Sequence, residues 1–352
     1  MSSSLTRRHL LGATAASAAA LAWPTLAHAG KHAASPPAGF LRASLPGKVV
    51  RASQASTLQA NGLWPEPASA KALVGKAMEM LTGTSDLGRA FGMFVHPEDR
   101  VALKPNGIAG RKGATMATNK ELVLEVVRGV LAAGVPPERI TIFEQYRDFL
   151  YGTRVITDKD KLTLDPDFPA GIRTAVHLNK DAAMEEIMVG GTPTRYVRPF
   201  TEATVVINLC LMKDHGICGF TGALKNITHG CNVNPQDFHA HNASPQIAHL
   251  YAQEVVKSRV ALHITDAFKV IYDGGPLDTK PSARVPFHSV YAATDPVALD
   301  VIGWELIERL RKDNGLPTLA AAGREPTYIR TAADLGLGVY DRANIALTEA
   351  TV

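Results

Sequence analysis

Apolar runs that break off abruptly into residues able to do chemistry recur along this chain. They constrain its fold more than any other feature. Val101-Ala102-Leu103 leads into Lys104-Pro105-Asn106, and Val205 to Leu209 leads through Cys210-Leu211-Met212 into Lys213-Asp214-His215. Val260 to Ile264 leads into Thr265-Asp266, and Val290 to Ala293 into Thr294-Asp295. Each run has the length and branching of a buried strand. Between them lie helical patterns. Ser69 caps a stripe from Lys71 to Leu81, with Leu73, Ala77, Met78 and Leu81 on one side. Thr118 or Asn119 caps a helix that turns Leu122, Val123, Val126, Val127 and Val130 inward and stops at Gly134. Ile140 to Phe143 follows as a strand, and a right-handed crossover makes that pair parallel. Short helices are expected at Gly222 to His229 and Pro245 to Val256, and a long one from its cap Asp295 to Asp313, ended by Gly315. Residues 148–198 read as short strands and loops. The alternation predicts an α/β fold of three layers, a largely parallel sheet with helices on both faces.

Parallel strands put their carboxyl ends along one edge, where ligands bind. That expectation brings Lys104, Asn106, Lys213, His215, Asp266 and Asp295 to one cleft. The plainer alternative is that polar residues mark where each strand leaves the core. On the first reading Lys104, Lys213 and Lys225 pair with a carboxylate or phosphate, while Asn106 and Asn226 orient it. Lys213, His215, Asp266 and Asp295 are the catalytic candidates. His215 serves as acid, base or metal ligand, and the aspartates as base, metal ligand or lysine partner. A lysine beside other cations in a dry cleft has a depressed pKa, which suits proton transfer.

The segment 213–231 sets four glycines beside Lys213 and Lys225, so backbone amides and ammonium groups can meet an anion together. It has neither Walker nor dinucleotide spacing. His215, Cys218, His229, Cys231, His239 and His241 crowd the same region and are candidate ligands for a transition metal. Their spacing matches no named metal pattern, and ordinary loop histidines are the competing reading. The three cysteines form no disulfide framework. Cys210 reads as a small buried hydrophobe, while Cys218 and Cys231 can pair, bind metal or stay free. Cys218 near His215 or His229 is the one arrangement resembling a nucleophilic thiol and its base. Three thiols cannot make a four-cysteine iron–sulfur cluster, and none is expected. Asp273 to Pro276 reads as a turn closing over the cleft.

The first 29 residues are expected to be a twin-arginine signal peptide. Arg7-Arg8 precede an Ala-rich apolar stretch without acidic residues, and Ala27-His28-Ala29 offers the cleavage pattern. This implies the twin-arginine export machinery as a partner and a periplasmic or extracellular location. Residues 30–68 read as an irregular lead-in and 69–352 as a single α/β domain. Losing Arg7 and Arg8 with the leader lowers the formal net charge from +4 to +2. Without a clustered basic face, no nucleic-acid partner is expected. No apolar run of about 20 residues occurs in the body, so no membrane span is expected in the mature protein.

These residues resemble the domain-of-unknown-function 362 family. The likeness lies in Val101 to Asn106, Ile207-Asn208 through Lys213-Asp214-His215, Leu224-Lys225-Asn226 with Gly230, Thr265-Asp266-Ala267, Gly274-Gly275-Pro276 and Asp295 to Asp300. Its implications for activity are modest. Some members carry an added ferredoxin-like module with clustered cysteines; that pattern is absent here, so an iron–sulfur label does not carry over. The exported form with a twin-arginine leader fits bacterial members. The function expected is that of an exported enzyme binding an anionic small molecule, with or without a metal, at strand ends. The alternative is a non-catalytic periplasmic binding protein for an anionic ligand or metal.

Overall fold

In a computed structural model the described residues are 32–109, 115–177, 182 and 184–352. The signal-peptide reading of residues 1–29 lies outside them. Nine strands form the main sheet. In chain order they are β1 (Lys48–Ser53), β2 (Val101–Lys104), β3 (Ile140–Glu144), β4 (Arg173–Val176), β5 (Val205–His215), β6 (Gly219–Thr221), β7 (Val260–Ile271), β8 (Arg284–Ala293) and β9 (Ala346–Thr351). Across the sheet they run β9-β1-β8-β7-β5-β2-β3-β4, with the short β6 folded back on β5. The pairs β7–β5, β5–β2, β2–β3 and β3–β4 are parallel. β8 runs antiparallel to both β7 and β1.

Alternating side chains of these strands feed two cores. On one face Val101, Leu103, Val205, Ile207 and Leu209 meet helix α1 (Pro67–Thr82) and helix α2 (Lys120–Ala132). On the other, Ala102, Val206, Cys210 and Met212 meet α3 (Ala223–Cys231), α4 (Gln246–Tyr251), α5 (Pro296–Asp313) and α6 (Tyr328–Asp334). Two buried faces are why these strands read as continuous apolar runs. The expected three-layer, largely parallel α/β architecture is therefore the one observed. Among the described residues, no helix is long and apolar enough to cross a membrane.

Four departures from the sequence reading matter. The stretch read as an irregular lead-in supplies β1, which is buried between β8 and β9. Its three buried residues, Val49, Val50 and Ala52, are too few to announce a strand beside so much Ala, Ser and Pro. The helix expected over Pro245 to Val256 divides into α4 and a turn of helix at Glu254–Lys257. β5 continues to His215, because β6 pairs with its last three residues. β7 continues to Ile271, which leaves Asp266 in mid-strand, while the reversed β8 delivers Asp295 to the opposite edge of the sheet.

Candidate functional site

The carboxyl ends of β2, β3 and β5 open onto a cleft of about 410 Å³ that is continuous with solvent. Its charged and polar lining includes Lys104, Asn106, Glu144, Lys213, His215, Thr221, Lys225, Asn226 and His229, and Ile108, Phe149 and Pro276 form an apolar wall. Six of the eight residues expected to act on or hold a ligand thus meet here. Strand geometry accounts for much of it. Lys213 and His215 are two apart on β5 and share a face. Thr221 of β6 stands directly opposite Lys213 in the antiparallel register.

The three lysines are held differently. Lys104 Nζ donates to Glu144 Oε1 at 2.9 Å and to the Pro105 carbonyl at 2.6 Å. Glu144 also accepts from the amides of Gly107 and Gln145, so this buried pair is satisfied. Gly230 makes the packing possible, since a Cβ there would sit 2.7 Å from Lys104 Cε. Lys213 Nζ donates to Asn106 Oδ1 at 2.8 Å and, more weakly, to the Pro276 carbonyl at 3.4 Å. Burial, reinforced by the charge of Lys225, lowers its pKa to about 7. Lys225 is buried on the first turns of α3, and burial lowers its pKa as well. Among the described residues its ammonium has neither a hydrogen bond nor an ion pair, and no carboxylate pairs with Lys213.

An amide chain fixes the floor. Asn106 Nδ2 donates to Asn226 Oδ1 (3.0 Å), Asn226 Nδ2 donates to Asn208 Oδ1 (2.7 Å), and Asn208 Nδ2 reaches His263 Nδ1 (2.9 Å). The chain points one way, so His263 accepts at Nδ1 and carries its proton on Nε2, toward the Tyr251 hydroxyl at 3.2 Å. Burial lowers the His263 pKa to about 3, which keeps that ring neutral. His215 is settled similarly. Its Nδ1 accepts from the amides of Ile217 (3.1 Å) and Cys218 (3.3 Å), placing the proton on Nε2. Burial and the nearby lysines push its pKa far below the usual imidazole range. The Thr221 hydroxyl is buried without a partner among the described residues. Unsatisfied buried polar atoms are uncommon in folded proteins and call for an explanation.

The start of α3 is clamped by Asp300 of α5, whose carboxylate accepts from the Ala223 and Leu224 amides. Gly222 permits this approach, since a Cβ there would lie 2.1 Å from Asp300 Oδ1. Burial raises the Asp300 pKa to about 7 despite those two bonds.

Two catalytic candidates stand apart from the cleft lining. Asp266 accepts from the amide and side chain of Asn119, at 2.7 and 2.8 Å. Asp295 caps α5 through the Val297 and Ala298 amides and also accepts from those of Gly47 and Val339. Both spend their oxygens on donors of the scaffold. The six candidate metal ligands do not assemble either, and among the described residues no three His, Cys, Asp or Glu could hold a metal ion. His215 and His239 stack at 6.0 Å and His229 meets His239 edge-on at 4.7 Å, but His229 is tied to the Phe238 carbonyl and His239 to that of Pro235. His241 is exposed on a turn. Cys210, Cys218 and Cys231 are free and buried. The Cys218 thiol donates to the Phe220 carbonyl, and burial pushes its pKa to about 11, so it is no activated thiolate.

Glu144 and Thr221 were missed in the sequence. Glu144 directly follows the apolar run Ile140 to Phe143, so the strand-end rule applied to that run finds it. Thr221 gives no such signal, because only the β5–β6 register places it beside Lys213.

No match was found among curated proteins. Among solved structures the chain is similar to the lactate racemase apoprotein from Thermoanaerobacterium thermosaccharolyticum. The identity is 14% and the TM-score 0.42, with 74% of this chain and 57% of that one covered. The chain therefore spans little more than half the length of that protein. A family model described as Domain of unknown function (DUF362) matches residues 101–305, which include every strand and helix that lines the cleft. The chain belongs to the DUF362 family.

Proposed function

We propose that this chain is an exported enzyme that binds a small anionic molecule, a carboxylate or phosphate, in the cleft and exchanges a proton with it through Lys213. The observation that carries the reading is the pair of buried lysines, Lys213 and Lys225, facing one cleft without a carboxylate partner among the described residues. A buried ammonium with no counter-charge is costly, and a bound anion removes the cost. Lys225 supplies that charge. His215 Nε2–H and the Thr221 hydroxyl add hydrogen bonds, and every one of these groups donates. Lys213 titrates near neutrality, where a proton can move in either direction. Asn106 holds its amine in place, and Ile108, Phe149 and Pro276 limit the water around it.

Thermal-shift titration of the mature protein with inorganic phosphate and with small carboxylates tests the binding step. A saturable rise in melting temperature that disappears in Lys225→Met is expected; a flat titration of the wild type overturns the reading. Turnover of a bound carboxylate or phosphate ester separates an enzyme from a binding protein. Export rests on Arg7-Arg8. Replacing both by lysine is expected to leave uncleaved precursor in the cytoplasm, whereas unchanged export would remove the twin-arginine assignment.

A further inference from the structure

We propose that Lys213 is a nucleophile, whose amine condenses with the carbonyl of a 2-oxo acid to form an imine while Lys225 holds the carboxylate. This rests on the anion-cleft reading above and narrows its ligand. Lys213 differs from Lys104 in one decisive respect. Lys104 Nζ is committed to an ion pair with the Glu144 carboxylate. Lys213 Nζ instead donates to two neutral acceptors, Asn106 Oδ1 and the Pro276 carbonyl. A neutral amine has two N–H bonds. With both engaged, its lone pair occupies a remaining tetrahedral direction, and the amine lines the cleft. The lowered pKa of Lys213 supplies that neutral form near pH 7.

The neighbours suit a ketone beside a carboxylate. Thr221 faces Lys213 across the β5–β6 pairing, and its buried hydroxyl has no partner among the described residues. His215, two residues along the same face, carries its proton on Nε2. Both can donate to an oxygen on the carbon that Lys213 attacks. Lys225 follows Thr221 by four residues, on α3, and is the one ammonium of the cleft without any partner among the described residues. Hydrophobic surroundings and an adjacent cation are the established ways of activating a lysine amine. Ile108 and Phe149 provide the first and Lys225 the second.

The step balances without a redox partner. The Nζ lone pair adds to the ketone carbon, a C–N bond forms, and the carbonyl π pair moves to oxygen, which takes up a proton. Loss of that oxygen as water, with the second amine proton, leaves the C=N bond.

The test is reductive trapping. Mature protein is incubated with pyruvate, 2-oxobutyrate or phenylpyruvate and sodium borohydride, then mapped by peptide mass spectrometry. Saturable labelling of about one site per chain, on the peptide holding Lys213, is expected. At limiting oxo acid, Lys225→Met is expected to reduce this labelling at least about tenfold, the cost of losing a charge-assisted contact. Labelling by propanal should fall far less, since it carries no carboxylate. Lys213→Arg is expected to abolish the specific label; should it fail to fold, the wild-type peptide map and Lys225→Met still decide. Phosphate-induced thermal shifts run in parallel. Shifts without Lys213 labelling by any of the three acids overturn the nucleophile and leave the anion cleft standing. Absence of both overturns the two together. Equal labelling of Lys213 by propanal and pyruvate overturns the oxo-acid assignment.

Discussion

Lys104 and Lys225 are both buried at the same cleft, one on the wall built by β2 and β3, the other on the wall built by β5, β6 and α3. On the first wall the charge is answered from within the protein, since Glu144 pairs with Lys104 and collects two backbone amides besides. On the second wall, among the described residues, Lys225 meets no acid, Lys213 meets only an amide and a carbonyl, and the Thr221 hydroxyl has no hydrogen-bond partner. Burial is nearly the same, so the difference lies in what the protein leaves for something else to satisfy. A finished ion pair is scaffold, whereas donors without acceptors are what the proposed anion would meet.

The contrast makes predictions of opposite sign. The largest effect is expected from Lys213→Met, which should remove turnover and borohydride labelling together while the fold survives, as circular dichroism and melting would show. Next, Glu144→Ala strands the Lys104 ammonium. Removing one member of a buried pair costs about 3–5 kcal/mol, measurable by urea unfolding. Lys225→Met should act the other way, raising the stability of ligand-free protein by about 1–2 kcal/mol because it deletes an unpartnered buried charge. If both substitutions destabilise equally, the two walls are not different in kind.

A smaller effect concerns pH. Lys213 has a native pKa of about 7 against 10.5 in the unfolded chain, so between these values the unfolded state binds more protons. Its contribution therefore improves as pH rises from 7 toward 10.5 and is lost as pH falls through 7. Asp300 behaves oppositely. With a native pKa of about 7 against 3.8, its contribution is fully present below about pH 4 and is lost as pH rises through 7. Wild-type minus Lys213→Met and wild-type minus Asp300→Asn stability curves should slope in opposite directions in those windows; parallel slopes would break the assignment. The smallest effect is expected from Thr221→Val. It should leave apo stability unchanged or slightly higher and weaken phosphate binding by about threefold to tenfold, the worth of one hydrogen bond, read by thermal-shift titration.

Much of the cleft was legible in the chain because parallel strands convert a sequence rule into a spatial one. Where a strand belongs to the parallel block and stops at the expected place, its terminal polar residue lands at the cleft, as Lys104 and Asn106 do. The rule failed where its premises failed. Asp295 follows an apolar run as clear as any other, but that run is β8, which travels backward. Asp266 follows an apolar run that does not stop, since β7 continues five residues beyond it. The histidines and cysteines of 215–241 are dense in sequence, yet His215 Nδ1, His229 Nε2, His239 Nδ1 and the Cys218 thiol are engaged by nearby amides and carbonyls.

The sequence by itself determined the layered α/β fold, the family and the residue types gathered at the cleft. Hydrophobic periodicity and strand-end chemistry are local properties that survive being read one residue at a time. Only the tertiary structure decided which lysines are neutralised and which are not. That depends on strand direction, on the hairpin register that sets Thr221 against Lys213, and on glycines that admit Lys104 and Asp300. Charge compensation is a property of distances of about 3 Å between residues far apart in the chain, and no local pattern encodes it.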